Sequence, residues 1–149
     1  MSQEGAVARP VSKRVLFHLR FGWWALLVFL SLGLALEAMH GFKIGWYLDV
    51  DQEVRRLMFR LAHAHGALLA VLHLAFAGTL YIASPDGWTT VFASRGLTIA
   101  SVLLPMGFAL GGFGIAGGDP GVGVIFVPLG AMALFGAVVL TSLALRRVG

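Results

Sequence analysis

Four stretches of the chain are almost purely apolar, and the charged residues fall mainly between them. They cover residues 21–39, 61–83, 97–116 and 122–145. Each reaches the ~20 residues that a helix needs to cross the hydrocarbon core of a bilayer. None has the polar face of a helix lying on a soluble core. The pattern predicts an all-α integral membrane four-helix bundle, with residues 1–149 forming a single transmembrane domain. The first stretch carries one charge, Glu37, and the second carries three histidines and no formal charge. Pro105 and Pro128 should kink the third and fourth helices unless neighbours compensate. Arg9, Lys13, Arg14 and Arg20 ahead of the first stretch resemble the n-region of a signal peptide. The sequence around residues 37–40 makes a poor cleavage site, so the stretch reads as an uncleaved first span.

Composition agrees with this pattern. Hydrophobic residues are 58% of the chain and charged residues 12%, against a usual ~45–50% and ~25%. So few charges cannot coat a soluble domain of this size. Cysteine is absent, which excludes disulfides, cysteine–zinc sites and iron–sulfur clusters. The connectors contain turn signals, Pro85-Asp86-Gly87 and the Gly-Gly-Asp-Pro-Gly run at 117–121.

Basic residues set the expected orientation. One side of a four-span protein would hold Arg9, Lys13, Arg14, Arg20, Arg95, Arg146 and Arg147. The other would hold Lys43, Arg55, Arg56 and Arg60. The positive-inside rule places the richer side in the cytoplasm. The expectation is a bacterial inner membrane protein with both termini cytoplasmic. Trp23, Trp24, Trp46, Tyr47, Tyr81 and Trp88 lie near span ends, as aromatic belts do. The basic residues flank spans and form no continuous stripe, so nucleic acid is not an expected partner. The expected partner is the lipid bilayer, with a membrane-protein partner or a homo-oligomer beside it.

Polar residues within spans are functional candidates by default. Glu37 and His40 end the first span, and His63 and His65 begin the antiparallel second, so the four share one membrane side. Glu37 and His40 are three residues apart and face the same way. Neutral imidazole with carboxylate suits copper, zinc or iron, and a membrane imidazole can also ligate haem. Glu37, His40, His63 and His65 are the candidate metal ligands. His63, His65 and His73 are the candidate cofactor-binding residues. Two other readings stand beside these: a proton relay, and structural pairing in which Glu37 meets Arg60 or Lys43.

At 100° per residue, His63 and His65 point ~200° apart. One should face the first span and the other a different neighbour. His73 lies ~15 Å further along the helix, too deep to join Glu37 and His40. Two sites, or one site plus a buried hydrogen-bonded histidine, fit better than one site using all three. His18 reads as an ordinary interfacial residue. Asp49, Asp51 and Glu53 could draw a cation towards the site, or form the acidic first turn of the next helix. Gly107, Gly111, Gly114 and Gly118 form a small-residue stripe for close helix packing, within the chain or in a dimer.

The run Arg60-Leu61-Ala62-His63-Ala64-His65-Gly66-Ala67-Leu68-Leu69 resembles the HxH helix of small bacterial four-span membrane proteins. It is also similar to the haem-ligating helix of haem–copper oxidase catalytic subunits and their nitric-oxide-reductase relatives. The resemblance covers residues 60–69 and implies His63 or His65 as an axial haem ligand. The third and fourth spans contain no histidine, so a complete oxidase core is not implied. No GxSxG, HExxH or Cys/His pair is present, and no catalytic residue is assigned. The functional expectation is a redox or respiratory accessory protein binding metal or haem near the extracytoplasmic face. The alternative is a non-catalytic structural or assembly subunit.

Overall fold

The computed structural model describes residues 10–48, 53–115 and 118–147. Its elements are α1 (Lys13–Gly41), the short α2 (Gly45–Leu48), α3 (Glu53–Ala83), α4 (Trp88–Phe113), a 3₁₀ turn (Val122–Ile125) and α5 (Phe126–Leu145). The four long helical segments are each apolar and long enough to cross a membrane. The protein is an all-α membrane four-helix bundle. The helices pack in chain order, α1 on α3, α3 on α4 and α4 on α5. Burial follows that order. Within their most apolar windows α3 and α4 are 39% and 44% buried, but the α1 and α5 windows only 11% and 17%. The outer helices therefore offer most of their surface to lipid.

Local chemistry sets the helix ends. Ser12 caps α1, its hydroxyl accepting from the Val15 N–H at 3.3 Å, so the helix begins well before the first apolar stretch. At the other end Lys43 is left-handed, with φ 53°. Its N–H donates to the His40 carbonyl at 3.2 Å and the Ile44 N–H to Met39 at 3.0 Å. These are the paired bonds of a Schellman motif, with lysine where glycine is usual. Gly87 opens α4 at φ 98°, ψ −176°, a conformation nearly confined to glycine.

Three sequence expectations change. The third span starts at Trp88 rather than residue 97, because Thr89, Thr90 and Ala93 are buried against the bundle while Arg95 is exposed beside them. Pro128 falls in the first turn of α5, where a missing N–H is tolerated; Pro105 is accommodated within the unbroken α4. The glycine stripe is used inside the chain. A Cβ on Gly107 would lie 3.0 Å from Val127 of α5, and one on Gly111 3.5 Å from the Met58 sulfur of α3. Gly118 sits in the turn at φ 88°, with nothing within 4 Å of its Cβ position. Glu53 is the first residue of α3 and pairs with Arg56 at 3.3 Å. Asp49 and Asp51 lie outside the described residues, as do Arg9 and Gly117.

Candidate functional site

The polar centre of the bundle is a histidine pair between α1 and α3. The helices meet closely at Gly22, where a Cβ would fall 2.6 Å from Leu74 and 3.0 Å from the Ala70 carbonyl. One turn earlier on α1, His18 reaches His73 of α3. Both rings are 0% exposed. Their Nδ1 atoms are 2.7 Å apart. Phe21 stacks on His73 at 4.2 Å, and Phe76 meets His18 edge-on at 4.7 Å. Helix α4 closes the site. His18 Nε2 lies 2.8 Å from Ser94 Oγ, and His73 Nε2 lies 3.0 Å from Ser101 Oγ. Ser101 Oγ also donates to the Leu97 carbonyl at 2.8 Å.

Proton counting orients this chain. A carbonyl accepts and cannot donate. Ser101 therefore gives its hydrogen to Leu97 and accepts from His73 Nε2–H. Neutral His73 then has a bare Nδ1, which accepts from His18 Nδ1–H. His18 Nε2 is bare in turn and accepts from the Ser94 hydroxyl. Every hydrogen runs one way, from Ser94 to Leu97, and no member carries charge. The reverse order would leave the Ser94 hydrogen without a recorded partner and break the Ser101–Leu97 bond. Ser94 and Ser101 are two turns apart on α4, so the chain runs ~10 Å along the helix axis.

The expectation for His18 is thus corrected: it is a buried member of the network, not an interfacial residue. The sequence offered two signals. Ser12 is a capping residue that carries α1 back past His18, and Ser94 and Ser101 are spaced seven apart, on one helical face. His73 is a buried hydrogen-bonded histidine, and both its ring nitrogens are engaged, which leaves none to ligate haem or metal.

The four candidate metal ligands do not converge. Among the described residues no group of three or more His, Cys, Asp or Glu side chains could hold a metal ion. His63 turns towards α1, its Nδ1–H donating to the Phe29 carbonyl at 2.7 Å. His65 turns towards α4, its ring 4.7 Å from Phe108 and its Nδ1–H donating to the Leu61 carbonyl at 2.9 Å. The ~200° between adjacent-but-one positions forces this split. His40 is exposed in the last turn of α1. Glu37 and His63 do line one groove, but Arg60 lines it with them, and its positive charge opposes a metal cation there. The Nδ1–H bond of His63 leaves Nε2 bare, as ligation would require, yet no other imidazole joins it. Glu37, His40, His63 and His65 therefore form no shared metal site among the described residues. No protein-family model, curated protein or solved structure matches this chain.

Proposed function

We propose that this membrane protein holds and relays a proton within the bilayer, as an accessory component of a larger proton-coupled membrane complex. The observation that carries the reading is the continuous Ser94–His18–His73–Ser101 chain with His18 Nε2 as its one unprotonated outer nitrogen. A proton enters as the Ser94 hydroxyl hydrogen passes to His18 Nε2 and the oxygen of the half-buried Ser94 regains one from a hydronium ion reaching its open side. Ser94 then rotates to accept from the new Nε2–H. Next, His18 Nδ1–H passes its proton to His73 Nδ1. This leaves His18 neutral with hydrogen on Nε2 and makes His73 the imidazolium. His73 Nε2–H rests on Ser101 Oγ, and the proton leaves only as Ser101 takes it and turns its own hydrogen from the Leu97 carbonyl to a basic group that the partner supplies. Loading takes place from the Lys13 end, and the excess of basic residues there supports a cytoplasmic side for it. Arg14, one turn before His18, and Arg95, next to Ser94, are the charged residues nearest on α1 and α4; the buried face of α3 brings none.

A second reading, the non-catalytic assembly subunit, is favoured by the same contacts in another role, since the network ties α1, α3 and α4 together. Nitrogen-15 NMR of histidine-labelled full chain in lipid nanodiscs separates the two. Proton relay predicts a neutral state with hydrogen on His18 Nδ1 and His73 Nε2, and uptake of one proton by the pair on acidification. Ser94→Ala, which removes the acceptor for the new N–H, should weaken uptake about tenfold. A pair that stays neutral at every pH where the bundle remains folded refutes relay and leaves the clamp.

A further inference from the structure

At the opposite end of the bundle a groove of about 340 Å³ lies beside the α1–α3 contact, where Gly33 of α1 lets the His63 ring come close. Its wall holds Glu37, Arg60 and His63, with Leu30 and Leu34 towards the membrane centre and the buried Tyr47 of α2 also lining it. The two charged residues are both exposed on this membrane-facing flank. They are of opposite sign, yet among the described residues neither is in an ion pair within 4.0 Å, the one recorded pair being Arg56–Glu53. Unpaired charges at the edge of hydrocarbon are costly. A direct contact would have satisfied both, and the groove keeps them apart. Leu30 and Leu34 below them are 59% and 73% exposed, an apolar track of the kind an acyl chain covers. Trp46, exposed at this end, marks the depth of lipid headgroups.

We propose that this groove binds a zwitterionic phospholipid bearing a primary ammonium, of the phosphatidylethanolamine type. The Arg60 guanidinium takes the phosphate, with the planar donor fork suited to it. Glu37 accepts from the ammonium. His63, held with its Nδ1–H on the Phe29 carbonyl, offers its bare Nε2 as a second acceptor. An acyl chain follows Leu30 and Leu34. A choline headgroup has no N–H to donate to Glu37, and a glycerol headgroup brings no positive charge. The groove therefore selects among lipids by charge and by hydrogen bonding together. This inference rests on residues separate from the buried histidine network.

Native mass spectrometry of the full chain, titrated with phosphatidylethanolamine, phosphatidylcholine or phosphatidylglycerol, tests it. The expected result is one tightly held phosphatidylethanolamine, favoured about tenfold over phosphatidylcholine by the charge-assisted bond to Glu37. Glu37→Gln keeps size and fold and should erase that preference without weakening phosphatidylcholine. Arg60→Gln should weaken all three lipids. Equal retention of the three lipids by the unsubstituted chain would overturn the proposal. A preference for phosphatidylglycerol would also overturn it, since Arg60 alone would then account for binding, as would a Glu37→Gln variant with unchanged selectivity.

Discussion

The His18–His73 contact can be weighed with a double-mutant cycle. In His73→Phe the ring volume is largely kept, so packing against Phe21 and Phe76 changes little. What is lost is the acceptor for His18 Nδ1–H, 2.7 Å away. A buried donor left unpaired costs about 1–3 kcal/mol. His18→Phe has the converse effect: the bare Nδ1 of His73 loses its donor, as does Ser94 its acceptor. The double variant removes both imidazoles. Ser101 keeps its bond to the Leu97 carbonyl, and Ser94 can turn to its own helix, as Thr98 does on the Ser94 carbonyl. The double variant should therefore be less destabilised than the sum of the singles. The expected coupling is about 1–2 kcal/mol, at the upper end for polar contacts between membrane helices. Reversible unfolding in mixed detergent micelles, followed by circular dichroism, measures all four proteins. Additive losses, or a neutral His18→Phe, would refute the His18–His73 hydrogen bond.

Other outcomes follow from the packing. Gly66→Ala should destabilise the bundle by about 1–3 kcal/mol in the same unfolding assay, because its Cβ would overlap the Phe29 ring. Gly78→Ala should stabilise by about 0.5–1 kcal/mol, since nothing lies within 4 Å of the added methyl. Lys43→Gly should raise stability by about 1 kcal/mol by relieving the left-handed residue at φ 53°; an unchanged transition midpoint would count against strain there. An alkaline phosphatase reporter fused beyond α5 should be inactive and a green fluorescent one bright, as the positive-inside rule predicts. The opposite pair of signals would invert the topology and place the lipid groove in the inner leaflet.

The sequence by itself determined the fold class and the number of spans. A bilayer forces each crossing segment to satisfy its own backbone, so a span is a local property of ~20 residues. The last span, residues 122–145, was legible to the residue, and the opposed directions of His63 and His65 came from helical geometry alone. Tertiary structure decided everything that depends on how helices meet. Residue spacing put Glu37, His40, His63 and His65 at one membrane level, but level says nothing about which faces pair. The pairing of His18 with His73, 55 residues further along the chain, depends on the close approach of α1 and α3 at Gly22. A histidine in the second turn of α1 looks interfacial until α3 and α4 close over it. The bare ring nitrogen, the direction of the hydrogen bonds and the separation of Glu37 from Arg60 are properties of three-dimensional contacts, because a side chain's partner is fixed by packing and not by its place in the chain.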